Sequence, residues 1–522
     1  MEDWFAAPEL TIGEMLEARA NETPEHVFGI YQNERITCST LRDRVNQLAG
    51  GLSDLGVSPG SRVAVMLANH PDHITTFLAL ATLGAVWVPI NVNLRGASLG
   101  HIVKASAPDA VIVDAEYLGQ LQPLLEDRRI APIIVRGPSS SIGFVDFSAV
   151  DRSHISPPPT PAAMDDTRAV FFTSGTTGPP KGAFVTERML RTCAIGAGTA
   201  ADVRAADVFL LWEPIYHTSG AQMVVLALMK PVTLAVVRRF SASQFWDQVR
   251  TYGVTKMHYL GGVLDILLKQ SPQTDDRRHG VRIAFGAGCT VQSWRAFQER
   301  FGIEIREVYG LTEGSCFTTL NTSGKIGSIG KPYPYLDVKI VDGRGNPVPV
   351  GTAGEIVMRG RQAGLIMKGY LEDPEATAAA VKEGWLHTGD LGRCDADGDF
   401  YYVGRRKDSV RRRGENVSAW EVERVLNSHP DIQESAVIGI DAEVGEQEIK
   451  AFVLCRPGIA LDPLGLIKWC EPRMPYFQIP RFITFVEAFE KTPTERIRKE
   501  VLSKTTQDCW DLERSGYRLH RR

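Results

Sequence analysis

The chain has 522 residues, 43% apolar and 23% charged, with 58 Lys+Arg against 62 Asp+Glu and a formal net charge of −4. At about 150 residues per unit this is a globular protein of three or four structural units. The composition excludes a disordered or fibrous chain, and the mild negative charge argues against a nucleic-acid partner.

In chain order, the opening MEDWFAAPEL is acidic and lacks the basic-then-apolar layout of a secretory signal, so a cytoplasmic location is expected. RVAVML (62–67) reads as a strand, HITTFLALATLG (73–84) as a helix and VWVPI (86–90) as a strand. HIVKASA (101–107) lies in a helical stretch, and AVIVDA (110–115) reads as a strand. Gly96 to Gly100 matches G-x-S-x-G, but Pro89 ends the preceding strand well before it, so no nucleophile elbow is expected. SHISPPPTPAAMDD (153–166) is a Pro-rich linker ahead of a strand at AVFF (169–172). Strand–helix alternation returns from Thr233 to Arg306. Such alternation predicts parallel sheets covered by helices. After about residue 330 the texture changes to strands joined by Gly-rich turns. A basic connector, GRRKDSVRRRG from Gly404, leads into a last section with one helix (WEVERVLNSHP) and two strands (SAVIGI, KAFVLC). The expected domains are therefore 1–403 and 404–522. No apolar run approaches the roughly 20 residues that span a bilayer. The eight cysteines form no C-x-x-C pair, so neither zinc nor a disulfide framework is signalled.

The strongest chemical signal follows AVFF. Thr173, Ser174, Gly175, Thr176, Thr177 and Gly178 lead through two prolines to Lys181 and Gly182. Glycines let backbone N–H groups approach a phosphate, hydroxyls donate further hydrogen bonds and lysine supplies charge. It is not the G-x-x-x-x-G-K-[ST] loop, because Lys181 is followed by glycine.

This string resembles the phosphate-binding loop of the adenylate-forming superfamily, which includes acyl-CoA synthetases, luciferases and nonribosomal-peptide adenylation domains. Further elements resemble that family in order and spacing: Val308-Tyr-Gly-Leu-Thr-Glu313, Gly354-Glu-Ile-Val-Met-Arg-Gly360, Gly384-Trp-Leu-His-Thr-Gly-Asp390, and Tyr402-Val-Gly-Arg-Arg-Lys-Asp408. Pro475 to Arg481 and Lys491 to Lys499 resemble its last two. The resemblance implies an α/β fold: a large N-terminal body of parallel-rich sheets with helices and a distorted β-barrel, plus a small mobile α+β C-terminal cap. The subgroup it resembles is the crotonobetaine/carnitine–CoA ligases and related acid:CoA ligases, on RFSASQFWDQVRTYGVT and GRQAGLIMKGYLEDPEAT.

The resemblance also implies roles. Residues 173–178 and Lys181 hold the ATP phosphates. Gly286, Ala287, Gly288, Glu307, Val308, Tyr309 and Gly310 line the nucleotide, with Tyr309 offering an aromatic face to adenine. Thr312 bonds a phosphate, and Glu313 holds magnesium, a hard cation that prefers oxygen. Asp390 suits the ribose hydroxyls, with Tyr402 and Arg405 beside it. His217, in a P-x-x-H element, lines the junction of acid pocket and thiol tunnel. Lys407 is the hinge pivot, and Arg411, Arg413 and Gly414 lie on the coenzyme A path. From Arg405 to Arg413 six cations face one carboxylate.

One departure concerns the chemistry. Where the family carries a lysine that bridges the attacking carboxylate and the α-phosphate, this chain has Arg496, with Lys499 three residues on as a second candidate. Another is Glu187, where relatives often carry histidine. The expected function is an ATP-dependent ligase that converts a carboxylic acid to acyl-AMP and passes the acyl group to coenzyme A, with magnesium as cofactor. The expected partners are small molecules, with no membrane span, and the protein is a monomer or homodimer. Two alternatives stay open: a diazotase activating nitrite for transfer to an aryl amine, and an inactive nucleotide-binding relative.

Overall fold

The computed structural model describes residues 9–126, 130–138, 143–150, 163–173, 180–260, 262–412, 415–441, 447–492 and 496–519, without the side chains of 407, 409, 411, 415 and 416. The chain divides into two compact units. The first is 1–289, 295–338 and 358–386; the second is 290–294, 339–357 and 387–522.

Two large sheets build the first unit. The seven-stranded sheet runs Val145–Asp146, Ile133–Arg136, Ala110–Asp114, Arg62–Met66, Val86–Pro89, Thr167–Thr173, Lys181–Thr186. All its neighbours are parallel except the last pair. Its central strands are apolar at nearly every position because both faces are covered. Val63 and Val65 enter a core shared with the second sheet, while Ala64 and Met66 enter another beneath the helices Gly96–Ser106 and Ala115–Glu126. The nine-stranded sheet has at its centre the parallel strands Glu304–Tyr309, Ile283–Ala287, Lys256–Leu260, Val208–Leu211 and Thr233–Val236.

Helix ends follow local chemistry. Pro71 opens the helix Pro71–Thr82, and the His70 ring accepts the Asp72 amide at 3.1 Å. Gly96 to Gly100 forms the first turns of the helix Gly96–Ser106, which leaves no strand-to-helix elbow at Ser98. Glu187, which had no role in the sequence, is buried. It pairs with Arg168 at 2.8 Å and accepts the Ile12 amide at the start of the helix Ile12–Glu22. A carboxylate there meets the unsatisfied donors of a helix N-terminus.

The strand-rich region expected as a distorted barrel is a five-stranded half-barrel sheet between residues 336 and 405. The second unit has its own apolar core around Val422, Leu426, Val437, Ile449, Ala451 and Val453. There the helix Ala419–Asn427 accompanies a sheet containing Ile432–Asp441 and Gln447–Cys455. Among the described residues no helix is long and apolar enough to cross a membrane.

Candidate functional site

The phosphate string lies between two paired strand ends. Thr173 is in register with Lys181, and Phe172 with Gly182, in the antiparallel pair Thr167–Thr173 and Lys181–Thr186. Ser174, Gly175, Thr176, Thr177 and Gly178 lie outside the described residues. At the end of the strand Glu304–Tyr309 the chain turns sharply through Gly310. A Cβ on Gly310 would lie 1.8 Å from the Cys316 carbonyl oxygen, so only glycine fits. A short 3-10 turn, Thr312–Gly314, then presents Glu313. Ser315 and Cys316 take left-handed φ values of 56° and 63° to close it. Backbone of this kind costs about 1 kcal/mol or more per residue and clusters at functional sites.

The Glu313 carboxylate is 8% exposed. Its Oε1 accepts hydrogen bonds from Thr173 Oγ1 and from the Tyr370 hydroxyl, each at 3.1 Å. Lys181 Nζ lies 5.4 Å from the centre of the Tyr370 ring. Three predicted residues, Thr173, Lys181 and Glu313, therefore meet around Tyr370, which sequence reasoning missed. Thr312 Oγ1 is 3.3 Å from Thr218 Oγ1. The neighbouring His217 caps the helix Thr218–Met229, its Nδ1 accepting the Ser219 amide at 3.2 Å. The set suits magnesium, because Glu313 is steered by neutral hydroxyls and keeps its charge for a hard cation.

Next to this lies a buried carboxylate that joins three strands. Glu307 accepts the Gly288 amide at 2.6 Å and the Cys289 amide at 3.1 Å on one oxygen, and the Tyr259 hydroxyl at 2.5 Å on the other. Burial pushes its pKa up to about 7, against the pull of those three donors. Glu307, expected as a nucleotide contact, holds the backbone that follows Gly286–Ala287 through the Gly288 and Cys289 amides. Gly286 is required as glycine, since a Cβ there would lie 1.9 Å from the Tyr259 carbonyl oxygen. Val308 and Tyr309 are both buried.

The remaining predicted residues belong to the second unit. Asp390 and Arg405 are register partners on the strands Trp385–Cys394 and Phe400–Arg405, with Arg405 Nε 3.2 Å from Asp390 Oδ1. The Tyr402 ring meets Trp420 edge-on at 5.7 Å. Burial and then the Asp390 charge push the Tyr402 phenol up, so it stays protonated. The basic connector is partly neutralised within the unit: Arg406 pairs with Glu355 at 3.2 Å, and the buried Arg412 with Glu448 at 2.6 Å. The Lys407 backbone lies in the 3-10 turn Arg406–Asp408 and that of Arg411 in the strand Ser409–Arg412. Arg413 and Gly414 fall outside the described residues.

The two candidate cations differ. Lys499 Nζ is 2.7 Å from Glu423 Oε1 and 3.6 Å from Asp408 Oδ2. Burial opposes its charge, yet the two carboxylates outweigh burial and raise its pKa. Arg496 is exposed, and its carbonyl accepts the Thr492 amide at 2.7 Å.

Comparison with known proteins finds relatives along nearly the whole chain. The profile of the family described as AMP-binding enzyme matches residues 16–371, and that of the AMP-binding enzyme C-terminal domain matches 421–496. A crotonobetaine/carnitine–CoA ligase of Salmonella arizonae is 32% identical over 484 residues, covering 90% of this chain and 93% of that protein. The protein of that name from Escherichia coli O9:H4 is 32% identical over 459 residues, covering 85% and 88%. Among solved structures, the anthranilate CoA ligase AuaEII with anthranoyl-AMP superposes with a TM-score of 0.87 at 24% identity, covering 94% and 96% of the two chains. ATP-bound MatB from Rhodopseudomonas palustris gives 0.85 at 23%, covering 94% and 98%. At such identities these two likenesses speak for the fold alone.

Proposed function

The chain belongs to the AMP-binding enzyme family, and from that premise we propose that it is an ATP-dependent acid:coenzyme A ligase of the cytoplasm. A carboxylate oxygen of the acid attacks the α-phosphorus of ATP, the bond to the β-phosphate oxygen breaks, and pyrophosphate leaves acyl-AMP behind. The coenzyme A thiol then gives up its proton and attacks the acyl carbon. The carbon–oxygen bond to AMP breaks, and AMP departs with one oxygen of the original acid.

The observation that carries this reading is Glu313, held by Thr173 and Tyr370 beside the lysine that closes the phosphate string. Magnesium, when bound, screens the phosphate charge. The protein's own part is to place and neutralise. Lys181 and Thr312 donate to phosphate oxygens, the Thr173 hydroxyl aims Glu313, and Glu313 holds the metal. Tyr309 and the Gly286–Gly288 turn take the base. Asp390 and Arg405 take the ribose. Arg496 stabilises charge on the α-phosphate, because Lys499 is already engaged by Glu423 and Asp408. Lys407 serves as the pivot between the two half-reactions, and residues 404–522 move as the cap.

Pyrophosphate–ATP isotope exchange tests the first step. Crotonobetaine and carnitine are the first acids to screen, followed by aryl acids, with thioester formation on adding coenzyme A as the second readout. Acid-dependent exchange with thioester formation is expected. A second reading, a diazotase, is favoured by Arg496 at the usual lysine position. Exchange with nitrite and with no carboxylic acid would establish it, and exchange with neither would mark an inactive nucleotide-binding relative.

A further inference from the structure

We infer that Tyr370 is a positioning residue for ATP and its metal: its hydroxyl orients the Glu313 carboxylate while its ring face seats the Lys181 ammonium. This rests on the reading of the triphosphate site given above.

The backbone fixes Tyr370 before its side chain acts. Tyr370 forms an isolated bridge to the strand that follows the phosphate string. Tyr370 bridges Ala183 in the antiparallel sense, the Phe184 amide donates to the Gly369 carbonyl at 3.1 Å, and the Leu371 amide to the Gly182 carbonyl at 2.7 Å. Gly369 sits at φ +148°, and a Cβ there would press on the Thr377 side chain at 2.9 Å. Thr377 Oγ1 in turn accepts the Tyr370 amide at 2.8 Å. The same stretch grips the turn that carries Glu313. The Met367 amide donates to the Glu313 carbonyl at 2.9 Å, and Ser315 Oγ donates to the Leu365 carbonyl at 2.6 Å.

The side chain then works on two charges of opposite sign. Its hydroxyl donates to Glu313 Oε1 at 3.1 Å. A phenol is an O–H donor near neutral pH, and a carboxylate oxygen can only accept from it. A neutral donor aims the carboxylate without cancelling the charge a metal needs. The ring lies 5.4 Å from Lys181 Nζ, inside the roughly 6 Å reach of a cation–π contact. An aromatic face attracts the ammonium yet offers it no salt bridge that a phosphate would have to break. A carboxylate in the same place would compete with ATP for the lysine.

The two contacts separate experimentally. Calorimetric titration with ATP in the absence of metal reads the ring. Electron paramagnetic resonance of Mn²⁺, the metal probe, in the ATP complex reads the hydroxyl. Tyr370→Phe keeps the ring: metal-free ATP affinity should stay within about 2-fold, while Mn²⁺ retention should fall about 10-fold, as for a lost hydrogen bond to a charged group. Tyr370→Leu removes the ring: metal-free ATP affinity should fall about 3-fold, and that loss should vanish in a Lys181→Met background. If Tyr370→Leu does not fold, Tyr370→Phe carries the test alone. Unchanged Mn²⁺ retention in Tyr370→Phe overturns the inference. So does a Tyr370→Leu loss that persists without the lysine, or variants that lower only the melting temperature. A wild-type protein that binds no ATP would overturn the reading of the site instead.

Discussion

The candidate site residues of the two units are held differently, although the first unit also buries ion pairs such as Arg168 with Glu187. In the first, Glu313 and Glu307 are held by neutral donors: hydroxyls of Thr173, Tyr370 and Tyr259 and the amides of Gly288 and Cys289. In the second, charges are stored in pairs: Arg405 with Asp390, Arg412 with Glu448, Lys499 with Glu423 and Asp408. A carboxylate held by hydroxyls is aimed but keeps its charge, which suits a metal site. A cation held by a carboxylate is neutralised, and a ligand must displace its partner. The Glu313 site of the first unit is thus prepared to receive charge, whereas the candidate cations of the second already hold partners.

The largest effect should come from removing the buried Glu313 charge of the first unit. Glu313→Gln keeps an oxygen to accept from Thr173 and Tyr370 but removes the anion. Turnover should fall on the order of 10²-fold or more, with a higher magnesium requirement. An unchanged magnesium titration would break the contrast at its root.

The second unit is tested next through the hinge proposed at Lys407. Proline fixes φ and restrains the residue before it, so Lys407→Pro should hold one arrangement of the cap. Transfer from pre-formed adenylate should fall about 10²-fold in single-turnover assays while adenylation survives within a few fold. Equal losses in both half-reactions would mean simple damage, and no loss in either would mean that residue 407 is not a pivot.

Lys499→Met sharpens the contrast by stranding Glu423, which is also bound by the Val437 amide at 2.6 Å. An unpaired buried charge costs on the order of 3 kcal/mol. Calorimetry should show a lowered unfolding transition, restored by Lys499→Arg. If Lys499→Met leaves stability intact and abolishes adenylation, Lys499 and not Arg496 is the cation at the α-phosphate.

The smallest effect concerns Glu307. Its raised pKa means that the folded state binds a proton more readily than the unfolded chain, so folding stability from this group falls as pH rises through about 7. Site order runs the other way: below about 7 the carboxyl is neutral, and its bonds to the two amides and the Tyr259 hydroxyl lose their charge assistance. Tyr259 and Cys289 face it, both pushed up by burial and then by its charge, so neither titrates in this range. The KM for ATP should rise a few fold from pH 8 to pH 6 in the wild type and stay flat in Glu307→Gln. A parallel rise in both would remove Glu307 from the account.

Much of this was legible in the sequence where function rests on local strings. The strands at 62–67, 86–90 and 110–115 announce themselves as apolar runs because both faces of their sheet are covered. The phosphate string and the Y-G-L-T-E element name Thr173, Lys181 and Glu313, and the fold brings the three together. What the sequence hides is pairing at a distance. Tyr370 meets Glu313 across 57 residues because an isolated bridge ties it to Ala183 beside the phosphate hairpin, and nothing in M-K-G-Y signals that partner. Glu307 sits in a recognised string, yet its use as a clamp depends on strand order. Lys499 reads as a free cation until Glu423, on a helix far upstream, closes on it.

The central claim is that a carboxylate oxygen attacks the α-phosphorus of ATP. The most direct measurement supplies the acid with both carboxyl oxygens as oxygen-18, together with ATP, magnesium and coenzyme A, and weighs the products by mass spectrometry. The account predicts one labelled oxygen in AMP, one in the thioester and none in pyrophosphate. Unlabelled AMP, or label appearing in inorganic phosphate beside ADP, would contradict it.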